Sequence, residues 1–276
     1  NRFFSFLMGW IAWILGNLTT ALLVVAAIDY LIPDPSQFWL KIGISVFLIL
    51  VLNLIAYFGI EASAFLLVLF AAAAVGVLLS IIFPGIFQIS SSNYFPFFTF
   101  GVSSIFITIF FISESFFGWE SVTYLAEETQ EPERIIPKAI IIGTIIIGFL
   151  GTSMATFSFG IIPWKVLAAS TAPLSIVAES ILGFGTKAIN IGIFVALIGS
   201  AAGGIVTMPR LILALARDKL FIAQLSDIHE RFKTPYKAII FQTIVSLIAF
   251  GMAFGKYRAL LILLLPLGFI MYFFVI

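Results

Sequence analysis

The sequence holds no cysteine and a single histidine, His229, and only 10% of its 276 residues are charged. Without cysteine there is no disulfide and no thiolate metal site, and the redox compartment is unreadable. HExxH is absent, as are Cys/His metal spacing, a P-loop and a Gly-rich dinucleotide turn after a strand. Ser113 and Ser115 have no histidine near them in the chain, which argues against a Ser-His-Asp nucleophile. Low charge is the most informative of these shortages. Soluble domains carry about 25% charged residues, whereas here 62% of residues are hydrophobic and the surplus apolar surface has to meet lipid. The net charge of +1 is spread over loops and gives no reason to expect a nucleic-acid partner. A secretory signal is lacking too. The chain opens at Asn1, without Met, on a full-length apolar run, and it stops inside another at Phe273–Ile276, so both ends read as cut.

A helix that crosses a membrane needs roughly 20 apolar residues. On that measure the sequence predicts eight spans, near 3–31, 38–58, 60–83, 97–126, 136–161, 187–208, 236–254 and 258–276, and hence an all-α polytopic membrane protein. In the first span Trp10 and Trp13 precede Gly16-Asn17. At mid-membrane depth Asn17 either hydrogen-bonds a neighbouring helix or contacts a ligand, and the residues alone leave both open. Asp29 reads as interfacial, and Pro173–Phe184 as an amphipathic surface helix with Glu179 on its wet side. Gly199 and Gly203 form a GxxxG pair, for close packing or for baring backbone carbonyls to a cavity. His229, between Asp227 and Glu230, reads as a surface residue. Alternating the loops puts Arg2, Arg134, Lys138, Arg210, Arg217, Lys219, Arg231, Lys233 and Lys237 on one face. Lys41, Lys165, Lys187, Lys256 and Arg258 fall on the other. By the positive-inside rule, residue 1 and the loops 126–136 and 209–235 are cytoplasmic.

The stretch from Phe106 to Ala139 departs most from a plain lipid-facing helix. An apolar run leads into Ser113-Glu114-Ser115, then Gly118 and Glu120, then a charged cluster of Glu127, Glu128, Glu131, Glu133, Arg134 and Lys138. A carboxylate at the centre of a membrane helix costs roughly 3 kcal/mol even on insertion scales, so it faces a cavity or a partner. On an unbroken helix, two residues six apart point about 120° from coincidence. A break between Glu114 and Glu120 brings them together, as in a discontinuous helix lining a substrate site. The charged cluster is either a solvated helix end or an ion-pair gate.

These residues carry a resemblance. Phe116-Phe117-Gly118-Trp119-Glu120, then Ala126-Glu127-Glu128-Thr129, Pro132-Glu133-Arg134 and Ile136-Pro137-Lys138-Ala139-Ile140, resemble the sixth-helix signature of the amino acid–polyamine–organocation (APC) transporters. Pro209-Arg210 through Leu215-Ala216-Arg217-Asp218-Lys219-Leu220, and then His229 through Tyr236, are similar to the family's loop between its eighth and ninth helices. The resemblance implies a LeuT-like inverted-repeat bundle, with the eight spans standing for the family's helices three to ten. Residues 1–276 are then one partial transporter domain, 1–83 the rest of the first repeat and 97–276 the second. It implies a plasma-membrane secondary transporter of amino acids or related organic cations, such as basic amino acids or polyamines. Such a protein works by alternating access, without a cofactor, coupled to Na+ or H+ or by exchange.

The substrate set implied by the resemblance is Trp13, Asn17, Ser113, Glu114, Ser115, Phe116, Phe117 and Gly118. Asn17 matches an Asn that meets the ligand in one exchanger of the family. Glu114 and Glu120 are the implied proton carriers, and the fifth-helix Lys of some proton-driven members is missing, since its place falls in Ala71–Ala74. The family's Gly-rich first helix, which holds half the site, has no counterpart here. As given, the chain should not transport, whereas a longer parent should. The alternatives are a transport-inactive membrane scaffold and an intramembrane enzyme, for which no partner to Glu114 is found.

Overall fold

The computed structural model describes residues 2–170, 172–183, 186–253 and 257–275. Asn1, Phe184, Lys256 and Ile276, which enter the readings above, lie outside them. Every regular element among the described residues is helical. Ten α-helices run in order: α1 Arg2–Leu31, α2 Phe38–Phe58, α3 Ile60–Gly85, α4 Ser103–Ile112, α5 Pro132–Ile161, α6 Trp164–Ala169, α7 Pro173–Leu182, α8 Thr186–Arg217, α9 Tyr236–Ala253 and α10 Tyr257–Val275. Among the described residues, six stretches are long and apolar enough to cross a membrane: α1, α2, α3, α4 with its continuation to Glu128, α5 and α8. The apolar parts of α9 and α10, Tyr236–Met252 and Leu264–Phe274, are shorter. These eight correspond to the eight predicted spans.

Two boundaries differ from the sequence reading. The fourth span begins its helix at Ser103, not 97, because Pro96 and Gly101 interrupt the aromatic run before it. The sixth span does not end near 208. It continues through Pro209 to Arg217, since proline removes one ladder bond while the next turns bury Ile212, Leu215 and Ala216. The predicted amphipathic helix is α7. It buries Val177 and Ala178 against α3 and α5 and leaves Glu179 exposed.

The centre of the bundle is the crossing of α1 over α8. Both are buried along a continuous stripe, Ala12–Ile28 on one and Ile198–Ala216 on the other. Glycines set how close they come. A Cβ on Gly16 would lie 2.3 Å from Met208 Sδ, and one on Gly204 would lie 2.5 Å from Thr20 Oγ1. On its other side α8 meets α3 the same way, with Gly192 against Val77 and Gly199 against Phe70, each 2.3 Å from where a Cβ would sit. Without water to drive association, such close backbone approach is the main source of helix–helix attraction in lipid. The GxxxG pair therefore splits: Gly199 packs, and Gly203 has nothing within 4 Å of a would-be Cβ.

At one end of the bundle Lys41, whose side chain is 9% exposed, pairs with Asp29 at 2.7 Å and ties α2 to α1. Asp29 thus holds a buried ammonium. In the turn that follows, Asp34 accepts hydrogen bonds from Ser36 N–H at 2.9 Å and Ser36 O–H at 2.8 Å. These bonds hold its carboxyl below the usual carboxylate range.

Gly199→Val is expected to drive a side chain into Phe70 and destabilise the whole protein by about 1–3 kcal/mol. Gly148→Ala, at an exposed position inside α5 with open space, is expected to stabilise by up to about 1 kcal/mol. Thermal unfolding in detergent checks the contrast, and equal effects would contradict the packing role of Gly199.

Candidate functional site

The fourth span stops being an α-helix at Ile112. The Ser113 hydroxyl donates to the Phe110 carbonyl at 2.6 Å, the local competition by which serine weakens a helix. A 3-10 turn covers Ser113–Phe116, Phe117 is extended, and Gly118 takes the left-handed conformation at φ 101° that favours glycine. A 3-10 segment, Trp119–Glu128, then carries the chain onward. The helix is discontinuous where Glu114 and Glu120 predicted it.

A backbone freed from its ladder in an apolar layer needs other partners. Here the Glu120 carboxylate accepts from Gly118 N–H at 3.1 Å. The Tyr272 hydroxyl of α10 reaches both the Glu120 carboxylate and the Phe116 carbonyl, the latter at 3.0 Å, so its one proton serves one acceptor at a time. Phe117 stacks on Tyr272 with ring centroids 5.6 Å apart and presses against Gly268, where a Cβ would lie 2.2 Å from the ring. Gly268 is what lets Phe117 seat against α10.

Beside the break lies a cavity of about 420 Å3. The break supplies Phe117, Gly118, Trp119, Glu120, Ser121 and Val122. From α1 come Leu15, Gly16, Thr19, Thr20 and Leu23. Ser200, Gly203, Gly204 and Met208 belong to α8, and Ala139, Ile140 and Ile147 to α5. The lining holds one charged group, Glu120, with the hydroxyl residues Thr19, Thr20, Ser121 and Ser200 and a larger apolar share. Such a wall can take a positive group at the carboxylate, hydrogen-bond a polar head and shelter an apolar side chain.

Of the residues singled out in the sequence, Phe117, Gly118 and Glu120 line the cavity. Ser113 turns back on its own helix, Glu114 is half-buried nearby, and Ser115 and Phe116 are exposed. Trp13 and Asn17 are buried between α1 and α9, at 1% exposure each. Trp13 Nε1 donates to Gln242 Oε1 at 2.7 Å, and Asn17 Oδ1 accepts from Gln242 Nε2 at 2.8 Å and from Ser246 Oγ at 3.2 Å. Asn17 Nδ2 donates to the Trp13 carbonyl at 2.8 Å. The polar atoms of Asn17 are spent on this network, which is the interhelical reading of that residue.

The charged cluster after the break divides as well. Arg210 of α8, whose side chain is 3% exposed, grips the Glu128 carboxylate with two nitrogens at 2.8 and 3.2 Å. Arg217 pairs with Glu127. Glu131 instead pairs with its neighbour Arg134, both largely in solvent. Two acids of the cluster therefore clamp the end of the interrupted helix onto α8. The sequence reading missed Tyr272 and Gln242, the pairing of Arg210 with Glu128, and Thr19, Thr20, Ser200 and Met208 as cavity residues. The only signal for the first two was a lone polar group in an otherwise apolar run.

Compared with known proteins, residues 1–276 match the family model described as amino acid permease. The chain is 29% identical over 202 residues to the vacuolar cationic amino acid transporter 4 of Arabidopsis thaliana, covering 70% of this chain and 33% of that protein. It is 27% identical over 224 residues to the branched-chain amino acid permease BcaP of Bacillus subtilis, covering 80% and 45%. The serine/threonine exchanger SteT of Bacillus subtilis is 30% identical over 139 residues, covering 48% and 31%. The chain thus spans less than half the length of these relatives.

Arg210→Ala is expected to remove the hydrogen bonds of a buried guanidinium to Glu128 and to cost about 1.5–3 kcal/mol of stability. Arg217→Ala, at a solvent-exposed pair, is expected to cost under about 1 kcal/mol. Denaturation of the purified whole protein compares the two, and similar losses would show that the Arg210 pair holds nothing together.

Proposed function

The chain belongs to the amino acid permease family, and on that premise we propose that the whole protein is a secondary transporter of amino acids or related organic cations. It works by alternating access around the cavity beside Glu120. Its chemistry is binding and release without a covalent intermediate, driven by an ion or proton gradient or by exchange. The observation that carries the reading is the interrupted helix: its break, Phe117 to Glu120, forms one wall of a cavity inside a bundle of membrane-crossing helices. The relatives are named for cationic amino acids, branched-chain amino acids and serine/threonine, which share an ammonium group. Glu120 is the group that meets that positive charge. The hydroxyl residues around it supply the remaining polar contacts.

The geometry supports a switch as well. Tyr272 and the bound ammonium compete for the same carboxylate, so occupation of the cavity loosens α10 from the break. At the far end Arg210 and Arg217 hold the same interrupted helix to α8. Alternating access then amounts to releasing one of these attachments while the other holds. The basic residues shared by the loops 126–136 and 209–235 support placing that end in the cytoplasm, and the halves 1–83 and 97–276 act as the parts of two repeats. Glu120 is also the leading proton carrier, since it lines the cavity and Glu114 does not.

Uptake of labelled arginine, leucine and serine into proteoliposomes bearing the whole protein tests the reading. The wild type is expected to accumulate at least one of them, and Glu120→Gln to reduce that uptake tenfold or more and flatten its pH dependence. Glu114→Gln is expected to stay within about threefold. Unchanged, pH-dependent uptake by Glu120→Gln would sink the assignment of Glu120.

A further inference from the structure

Four glycines line the cavity: Gly16, Gly118, Gly203 and Gly204. A glycine inside a helix costs about 0.5–1 kcal/mol relative to alanine, so each calls for a physical reason. Three have one. Gly16 and Gly204 stand where α1 and α8 are too close for a Cβ, and Gly118 occupies a left-handed φ. Gly203 has neither reason. It lies in the middle of α8, and nothing stands within 4 Å of where its Cβ would point. Other glycines with free space, such as Gly76, Gly148 and Gly151, sit on exposed surface and outside the cavity lining. The open volume at Gly203 is cavity, between Ser200 and Gly204 on the same helix face and within the wall that also includes the α5 residues Ile140 and Ile147.

We propose that Gly203 sets the upper size of the side chain that the cavity admits, and that its missing Cβ lets the site take large amino acids. The proposal rests on the transport reading for its ligand class, α-amino acids. A Cβ added at Gly203 meets no protein atom within 4 Å, and a side chain built on it takes up space the ligand would use. It acts on bulky ligands and spares small ones. One methylene in such a pocket changes discrimination roughly 10–200-fold.

The test uses the whole protein with Gly203→Ala and Gly203→Leu, and a panel of glycine, alanine, leucine, phenylalanine and arginine. Each amino acid is measured twice: as uptake into proteoliposomes, and as a ligand-induced rise in unfolding temperature in detergent. Gly203→Leu is expected to lower Vmax/KM for leucine, phenylalanine and arginine at least tenfold relative to glycine and alanine, with the same ordering in the thermal shifts. Gly203→Ala is expected to move the ratio in the same direction by less. Both variants should unfold, without ligand, within a few degrees of the wild type. A large-to-small ratio that stays within twofold overturns the proposal. So does a collapse in unfolding temperature already at Gly203→Ala, which would mean that the position faces packed protein. A wild type that binds the panel by size and transports none of it would leave Gly203 in its role and remove the transport reading instead.

Discussion

A backbone that leaves the helical ladder within an apolar layer has to satisfy its hydrogen bonds at once, and that requirement governs this bundle. The chain meets it at Phe116–Glu120 with few means: one carboxylate folded back on Gly118 N–H, one tyrosine hydroxyl from α10, and a left-handed glycine that makes the turn. Everything around the break follows from holding those groups in place. Gly268 is small so that Phe117 can lie against α10, and Phe269 stacks on Phe110 with centroids 5.5 Å apart just before the break. The residue whose carboxylate closes the backbone also belongs to the lining of the cavity, so the break and the cavity share Glu120.

The opposite wall obeys a different constraint. α1 and α8 are held by shape, with Gly16 against Met208 and Thr20 against Gly204. That seam does not depend on charge. The polar network of Trp13, Asn17, Gln242 and Ser246 fixes the rotation of α1, which turns Gly16, Thr19 and Thr20 toward the cavity. A closely packed pair of helices therefore faces an interrupted one, with the cavity between them.

Much of this was legible in the sequence, because hydrophobic length and intramembrane charge are strong signals. All eight apolar stretches were found, and the pair Glu114 and Glu120 around Ser113–Gly118 marked the discontinuous helix. The site was only partly legible. Phe117, Gly118 and Glu120 were singled out because a break is written locally, and they line the cavity. Thr19 and Ser200 line it too and were not singled out, since their place there depends on which helix faces inward two hundred residues away. Asn17 shows the limit most clearly. A polar residue at mid-depth announces a partner, and only the fold decides whether that partner is a ligand or Gln242. The end of α8 was misjudged for a similar reason, as the burial of Ile212 and Leu215 outweighs a proline.

The bond between Asn17 and Gln242 also has a consequence for how the chain is made. These partners lie 225 residues apart. At synthesis rates of about 5–20 residues per second, α1 enters the bilayer roughly ten to forty-five seconds before α9 exists to receive it. During that interval the amide of Asn17 and the indole N–H of Trp13 have no native acceptor or donor across the bundle. A helix in that condition is held by whatever shelters it, whether water at the insertion site or an assisting protein, until α9 brings the glutamine that closes the network.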